Sequence, residues 1–217
     1  TANLNVAIGQ GAMESAAASV AFEGAIAIGK DALTGITNTG PNYTVAIGYK
    51  SLEALQSSAG NVAIGKHTGK ATTSGANNVF IGFEAGEAAN LDSAVLIGNK
   101  AGKALTSATS TIAIGSGALS THTTGVRNIA IGHGAMNDTD AGSTSLGSTD
   151  NIFMGYDAGG GTWADAASSY NVGIGNYVMD AALNGAIRNI AIGYEALTDL
   201  TTGDNNIAMG YGANTNS

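Results

Sequence analysis

The chain has 217 residues, 33 of them Gly, and its 16 acidic and 8 basic residues give a formal net charge of −8. Hydrophobic residues reach 44% but aromatic residues only 6%, so the apolar content is mainly aliphatic, which excludes both a disordered chain and an aromatic-rich core. The single Pro excludes collagen, and the absence of Cys excludes disulfides and thiolate metal sites.

The charge is concentrated at one end. Residues 1–137 contain seven acidic and seven basic residues, whereas residues 138–217 contain nine acidic residues and only Arg188. Because a nucleic-acid backbone needs basic contacts, we expect no nucleic-acid partner. No apolar run approaches a membrane span, so we expect no membrane insertion. The start at Thr1, without Met or a signal peptide, indicates a piece of a longer protein.

A short segment, first seen as Asn5-Val6-Ala7-Ile8-Gly9, recurs in twelve copies along the whole chain. Its glycine, the repeat glycine, recurs at similar but unequal intervals, at positions 9, 29, 48, 65, 82, 98, 115, 132, 155, 175, 193 and 210. The residue before it is always Ile or Met, and the residue three before it is always Val or Ile, which places both on one face of a short strand. We predict that these two aliphatic residues point into the interior.

The residue between these two aliphatic residues is then predicted to point outward. It is Ala in eight copies, and in the others Phe80, Leu96, Phe153 and Gly173. A strand that is apolar on both faces is normally covered on both, and a stripe of mostly Ala lets another chain approach closely. We therefore expect self-association along this stripe, with a trimer and a dimer of rods both open at this point.

The second half of each repeat has Ala three residues after the glycine in nine copies, then usually Leu, Met or Gly, as in Ala118-Leu119. This pattern predicts a second short strand before a polar loop. Such a unit cannot bury its apolar face alone, so successive units must stack with parallel strands. We predict one all-β parallel solenoid domain over residues 1–217, with twelve coils at roughly 4.8 Å per coil and a length of roughly 55 Å. Inserted loops are expected at about 138–150 and 160–170.

Asn precedes the Val or Ile of the repeat in eight copies. Stacked Asn residues can pair their amides from coil to coil, and Asn also tolerates the turn conformation. We therefore predict a structural Asn ladder rather than a ligand site.

These motifs resemble the Asn-x-Val-Ala-Ile-Gly repeat of YadA-like heads, found in trimeric autotransporter adhesins, with related repeats in phage tail fibres. The resemblance covers essentially all 217 residues, and the stretch from Tyr194-Glu195-Ala196-Leu197 through Thr201-Thr202-Gly203 to Ile207-Ala208-Met209-Gly210-Tyr211 is similar to the fibre variety. It implies a left-handed parallel β-roll, assembled as an intertwined homotrimer on the outside of a virion or a bacterium. Adhesin heads usually have a shorter Ser-x-Ala-x-Gly segment in the second half of the repeat, so the longer loops here favour the phage fibre.

Aromatic residues indicate two kinds of surface. Five follow the repeat glycine directly and are predicted to cover the turn edge: Tyr49, Phe83, Tyr156, Tyr194 and Tyr211. An inserted loop breaks the period and mixes rings with carboxylates. Sugar-binding surfaces have the same mixture, so residues 138–177 are the candidate surface for a host glycan or surface protein. The candidate residues are Trp163, Tyr170, Asp157, Asp165 and Tyr177. The alternative for Trp163 is a packing role that fills a gap in the solenoid.

Other chemistry has weaker support. The three His residues lie in different repeats and are predicted to lie at the surface without a metal: His67, His122 and His133. Two acid pairs leave a glycosidase open: Asp138 with Asp140, and Asp157 with Asp165. The weak candidate ligands for calcium are Asp138, Asp140 and Asp150. We predict no cofactor and no catalytic residue.

The sequence therefore predicts a non-enzymatic structural and adhesive module of a trimeric extracellular fibre, of the phage tail type, in which coils stiffen the shaft and loops contact the host. Three copies acting together would supply much of the affinity. The head of a bacterial adhesin and a polysaccharide-degrading tailspike-like enzyme are the alternatives. An ice-binding solenoid ranks last, because Thr precedes the strand only at Thr44 and Thr111.

Overall fold

Each repeat forms one coil with one three-residue strand. The computed structural model describes residues 4–14, 23–37, 40, 42–139 and 147–214, and these contain no α-helix. The strands are β1 (Val6–Ile8), β2 (Ile26–Ile28), β3 (Val45–Ile47), β4 (Val62–Ile64), β5 (Val79–Ile81), β6 (Val95–Ile97), β7 (Ile112–Ile114), β8 (Ile129–Ile131), β9 (Ile152–Met154), β10 (Val172–Ile174), β11 (Ile190–Ile192) and β12 (Ile207–Met209). We number each coil by its strand.

The twelve strands form one parallel sheet in chain order. The register places each residue opposite its own copy in the next repeat, as Val62 lies opposite Val79 and Ile64 opposite Ile81. A three-residue strand is too short to be stable alone, so hydrogen bonds to the coils on both sides stabilise it. The prediction of an all-β parallel solenoid is confirmed.

The two faces of the strand are the reverse of the prediction. The middle residue is buried in β2 to β12, as with Ala46 and Phe80, which are both 0% exposed. The flanking aliphatic residues are half-buried or exposed, for example Ile64 at 38%. The expected outward Ala stripe is therefore wrong: small residues fill a narrow interior, and the branched residues point outward.

The second half of each coil is a turn, not the predicted second strand. Residues two and four positions after the repeat glycine have left-handed φ, such as His67 (59°) and Leu52 (49°). The N–H of His67 donates to the carbonyl of Tyr49 in the preceding coil (2.9 Å), and the N–H of Leu52 donates to that of Thr68 in the following coil (3.0 Å). Because every second residue of the turn has left-handed φ, the fourth residue after the repeat glycine points into the interior, where Leu52 is fully buried.

The strand centre and the fourth residue after the glycine share the interior volume. In most coils with Ala at the strand centre, as at Ala113, the turn residue is large, as at Leu119, and both are fully buried. Coil 4 combines Ala63 with Gly69, and there the Phe80 ring of coil 5 lies against the glycine. A Cβ at Gly159 would lie 2.8 Å from the Phe153 ring, so a large strand centre requires Gly in the turn. Large strand centres and turn glycines pair in three coils: Phe80 with Gly86, Leu96 with Gly102, and Phe153 with Gly159.

The repeat glycines form a column that sets how closely the coils stack. Their φ values lie between 126° and 145°, a region that residues with a Cβ rarely adopt. A Cβ at Gly29 would also lie 2.6 Å from the carbonyl oxygen of Gly48, and the same clash recurs at each repeat glycine from Gly9 to Gly193. Backbone conformation and the adjacent coil therefore both require glycine.

The predicted Asn ladder is present and buried. Asn171 donates its backbone N–H and its side-chain amide to Oδ1 of Asn151 (3.0 and 3.2 Å), and the same amide donates to the carbonyl of Ala186 (2.9 Å). Asn189 donates in the same way to Oδ1 of Asn171. The ladder thus satisfies amides that would be costly to bury unpaired, and the structural interpretation is confirmed.

Candidate functional site

The outward side chains of the twelve strands form a continuous apolar surface, which we call the aliphatic face. One column consists of the first residue of each strand, Val or Ile, and the other of the third residue, Ile or Met. Neighbouring coils cover each side chain above and below, yet Ile174 and Ile190 remain 39% and 37% exposed. No polar residue interrupts either column, and a long exposed apolar surface is typical of an interface.

Beside this face lies the turn edge, which we define as the residues one, two and five positions after the repeat glycine. In coils 3 to 6 its carboxylates are paired with lysines. Nζ of Lys50 lies 2.6 Å from Oε1 of Glu53. Nζ of Lys103 lies 2.7 Å from Oε2 of Glu84 and 3.3 Å from Oε2 of Glu87, and its hydrogen bond to Glu84 lowers the pKa of that carboxyl.

Lysines also cover the rings of this part of the turn edge. Nζ of Lys50 lies 5.7 Å from the centre of the Tyr49 ring, and Nζ of Lys66 lies 5.4 Å from the centre of the Phe83 ring. Both distances are within the range of cation–π attraction. Lys50, Lys66 and Lys103 therefore contact rings or carboxylates of the same surface.

A column of rings in contact follows the turn edge of coils 8 to 12, with the two outer contacts parallel and the two inner ones edge-to-face, and we call it the aromatic column. It consists of His133, Tyr156, Tyr177, Tyr194 and Tyr211, with consecutive ring centres 5.1, 5.3, 5.8 and 5.4 Å apart. Tyr156 is 43% exposed and Tyr211 is 81% exposed. The predicted in-register placement of Tyr156, Tyr194 and Tyr211 is confirmed, and Tyr177 joins them from the next position along the turn.

Carboxylates border the aromatic column. Partial desolvation raises the pKa of the Tyr177 phenol above its ordinary value, and Tyr156, Asp157 and Asp180 act in the same direction. A hydrogen bond to the Glu195 carboxylate raises the pKa of Tyr194. Both phenols therefore stay neutral at physiological pH, in a negative local field.

The structure places Trp163 in the interior, against the prediction that it contributes to an exposed recognition surface. The residue is 0% exposed, its Nε1 donates to the carbonyl of Gly159 (3.1 Å), and its ring centre lies 5.9 Å from that of Phe153 in an edge-to-face arrangement. The inserted loop folds back so that the indole fills the interior of coil 9. This geometry corresponds to the packing alternative.

The other candidate recognition residues lie on different sides of the coil. Tyr170, which is 56% exposed, precedes β10, whereas Tyr177 follows it. Asp165 is exposed on the inserted loop. Only Asp157 and Tyr177 come together, next to Tyr156. The fold therefore joins part of the predicted cluster to the aromatic column and separates the rest.

The described calcium candidates have separate partners. Asp150 forms a bidentate pair with Arg127, whose Nε and Nη2 lie 2.7 and 2.8 Å from its two oxygens and whose hydrogen bonds lower its pKa. Asp138 accepts a hydrogen bond from Thr162 (2.6 Å). Asp140, and with it the Asp138 and Asp140 acid pair, lies outside the described residues. The pairing of Asp150 with Arg127 satisfies the carboxylate without an ion.

The three His residues have three different environments. His133 is exposed as predicted. His122, in contrast, is buried, and the surface prediction for it is wrong. Its Nδ1 lies 2.8 Å from Thr139 Oγ1, and its Nε2 lies 3.3 Å from Nδ2 of the ladder residue Asn128. The ring enters the interior because these polar groups satisfy both of its nitrogens.

His67 belongs to a cluster whose composition is that of a metal site. One ligand atom each from His67, Glu84 and Glu87 lies within 4.8 Å of the others, and this is the one such group that the described ranges contain. The ammonium of Lys103 already bridges the two carboxylates. The cluster is therefore an ion-pair network, and a metal would have to displace the lysine.

Sequence reasoning missed the aliphatic face and the continuity of the aromatic column. The signal for the first is the exchange of large and small residues, because Phe80 with Gly86 and Ala113 with Leu119 make sense only if the strand centre points inward. The signal for the second is weaker. Tyr177 is the second residue after its glycine, so it falls outside a strict register of rings.

The comparisons with known proteins are negative. The chain matches no family model, no curated protein and no solved structure. Within the part of the chain that the structure describes, no helix has the length and apolarity to cross a membrane.

Proposed function

We propose that this chain is a non-enzymatic structural and adhesive module of a homotrimeric extracellular fibre, of the phage tail-fibre type. The observation that carries the proposal is the aliphatic face, in which two uninterrupted columns of Val, Ile and Met point outward and stay partly exposed along all twelve coils. The other side of the same sheet is buried in the interior of the coils. A sheet that is apolar on both faces requires a cover on both, and here only one face has it.

Other copies of the same chain supply a matching cover. Each copy has its outward aliphatic residues at the spacing of one coil, so parallel copies bring equivalent columns into register along the full length of the rod. Directing one face per chain toward a common axis closes the assembly and leaves no apolar remainder, as cyclic symmetry requires. The resemblance to YadA-like repeats supports three copies and a left-handed coil.

The assembly suits a rigid connector that presents copies of a weak contact surface. The turn edge lies beside the aliphatic face and not within it, so it remains available on every chain. Three identical surfaces held on one rod raise the apparent affinity for a repetitive host surface without any new contact.

Light scattering coupled to size exclusion tests the assembly. We expect three times 21.3 kDa for the chain. Ile114→Lys places a charge on the aliphatic face and leaves the buried Ala113 and Leu119 unchanged, so we expect it to reduce the mass toward one copy. Ser116→Lys adds the same charge at an exposed turn-edge position of the same coil and should leave the trimer intact.

A wild-type monomer at micromolar concentration, or an Ile114→Lys variant with an unchanged mass, would contradict the proposal. The polysaccharide-degrading alternative has its own readout. Incubation with host polysaccharide should give binding without release of reducing ends, and steady release that Asp157→Asn abolishes would establish the enzyme instead.

A further inference from the structure

The turn edge of coils 9 to 11 has the same arrangement of rings as the turn edge of coils 3 to 5. Directly after the repeat glycine, coils 3 and 5 carry Tyr49 and Phe83, and coils 9 and 11 carry Tyr156 and Tyr194. Tyr49 and Phe83 are each 39% exposed, and Tyr156 and Tyr194 are 43% and 41% exposed. The two regions thus present equivalent rings at equivalent positions on equivalent backbone.

The lysines of the first region are missing from the second. Each has an acidic or amide residue as its counterpart at the same turn-edge position: Asp157 for Lys50, Asn176 for Lys66, and Asp180 for Lys70. The segment 138–217 contains no Lys at all, and its single basic residue, Arg188, precedes β11, whereas the aromatic column follows the strands. The aromatic column therefore has no internal ammonium group.

In coils 3 to 5 the ammonium groups complete the surface. Lys66 covers the Phe83 ring, and Lys50 lies over Tyr49 while it pairs with Glu53. A cation is attracted both to an aromatic face and to a carboxylate, and the two attractions add at such a position. In coils 9 to 11 the rings and carboxylates lack this cation. They therefore form a surface that is complementary to a cation of another molecule.

Two carboxylates of the second region are oriented by neutral hydrogen-bond donors. Asp180 accepts a hydrogen bond from the Thr198 hydroxyl, and Glu195 accepts one from the Tyr194 phenol. Neutral donors orient a carboxylate without cancelling its charge. The excess of acidic residues in the segment 138–217 adds a field that attracts cations and repels anionic polymers.

We propose that the aromatic column, together with Asp157, Asp180 and Glu195, binds an amine-bearing polysaccharide, whose ammonium groups occupy the positions that lysines hold in coils 3 to 5. Because this names the partner of the fibre, it rests on the proposed function. The rings lie one per coil, with consecutive centres 5.1 to 5.8 Å apart in parallel or edge-to-face contact, and a pyranose offers a flat C–H face to the parts of these rings that remain exposed. An extended sugar chain along the column meets rings and carboxylates together, and an amine-bearing chain also supplies the cation that these carboxylates lack.

The test compares two hexasaccharides that differ only at nitrogen, the hexamer of glucosamine with free amines and its fully N-acetylated counterpart. Isothermal titration of the intact chain at about pH 6 keeps the amines protonated. We expect the amine hexamer to bind at least about ten-fold more tightly, with an affinity that falls as salt rises. Equal affinity for both hexamers, or no binding of either, would overturn the proposal.

Asn176 provides a matched pair of variants. Its Oδ1 accepts the N–H of Tyr156 (2.9 Å), and its position corresponds to that of Lys66. Asn176→Lys supplies an internal ammonium between Tyr156 and Tyr194, so binding of the amine hexamer should weaken by about ten-fold or more, whereas Asn176→Gln disturbs the same hydrogen bond without charge and should stay within about two-fold. Equal losses in the two variants would show that charge is not the determinant.

Two further measurements separate the remaining outcomes. Hexalysine that binds as tightly as the amine hexamer would replace the polysaccharide with a basic peptide and overturn the inference. The solution mass of the same samples distinguishes this inference from the proposed function. A trimer that does not bind the amine hexamer contradicts only the proposed ligand, and a monomer contradicts the proposed fibre. If Asn176→Lys alone loses the trimer, the aromatic column is a contact between subunits.

Discussion

Coils 3 to 5 and coils 9 to 11 have the same strand, the same glycine column and the same interior rule, yet their turn edges have opposite electrostatic character. The turn edge of the first region has three lysines and three glutamates, whereas that of the second has three carboxylates and no lysine. The residues compared are Lys50, Lys66, Lys70, Glu53, Glu84 and Glu87 in the first region, and Asp157, Asp180 and Glu195 in the second. Backbone geometry is thus independent of charge at the turn edge, because the coil is held by groups that do not face solvent.

The interiors of the two regions are packed in the same way but filled by different side chains. Each contains one Phe at a strand centre, Phe80 in coil 5 and Phe153 in coil 9, and each ring lies against glycines. A Cβ at Gly69 would lie 2.7 Å from the Phe80 ring. Coil 9 adds Trp163 from an inserted loop. A solenoid can therefore accept an insertion where the loop returns an apolar side chain to the interior, while its outer surface stays free to vary.

The largest expected effect tests whether both regions depend on the glycine column. Gly65→Ala would bring a Cβ within 2.5 Å of the carbonyl oxygen of Gly82, at φ 138°. Because no rotation of a side chain relieves a backbone clash, we expect a loss of more than about 5 kcal/mol or failure to fold. Thermal unfolding followed by circular dichroism measures it.

Gly210→Ala is the matched control for the glycine column. Gly210 has a similar φ of 126° but no atom within 4 Å of the added Cβ, so the cost should be about 1–3 kcal/mol from backbone strain alone. If both variants lose the same stability, strain rather than coil spacing explains the column.

The next effect tests the interior of coil 9. Trp163→Ala removes a fully buried indole packed on Phe153, and we expect a loss of about 3–5 kcal/mol in the free energy of unfolding. Phe80→Ala, which opens a cavity in the first region, should cost a similar amount. A Trp163→Ala variant with unchanged stability and weakened ligand binding would return Trp163 to the recognition surface and contradict the packing interpretation.

A smaller effect distinguishes the two regions by their Asn ladders. Oδ1 of Asn171 accepts two hydrogen bonds from Asn189, whereas Oδ1 of Asn78 accepts one, from the N–H of Ala94. We expect Asn171→Ala and Asn78→Ala each to lower the free energy of unfolding by about 1–3 kcal/mol. The loss should be greater for Asn171→Ala, because it leaves more buried groups unpaired. Chemical denaturation of the two variants under the same conditions measures the difference, and the opposite order would sink this account.

The smallest effect concerns acid sensitivity of the first region. The hydrogen bond from Lys103 holds the pKa of Glu84 below its ordinary value of 4.5, so the stabilisation is complete above that value and is lost as the pH falls through the lower pKa of the folded state. The pair is partly exposed, and its contribution should be well under about 1 kcal/mol. Lys103→Met should therefore flatten the decline of melting temperature between about pH 5 and pH 3. A curve with the wild-type slope would assign the acid sensitivity to other groups.

Prediction from sequence succeeded for the features that depend on period. The number of coils, their parallel order, the glycine column and the Asn ladder all follow from residues that recur in register. Prediction failed for the inward face of the strand, because a two-residue alternation fits either face equally well. Ala46 and Ile47 alternate on a strand that is apolar on both faces, so alternation does not say which one is inside. The environment of His122 and the return of Trp163 to the interior also lie outside any repeat, since each depends on a single loop.

Recurrence along the chain is sufficient to establish a stack of parallel coils, because identical units that cannot bury an apolar face alone must bury it on one another. Three-dimensional packing settles which side of each strand is the inside. In most coils the strand centre and the fourth turn residue share room for one large side chain. A strand centre that faces a large turn residue is therefore Ala or Gly, and Val and Ile lie outside. That exclusion by volume, and not hydrophobicity, creates the aliphatic face, and the constant coil spacing that the glycines permit aligns separate tyrosines into one column.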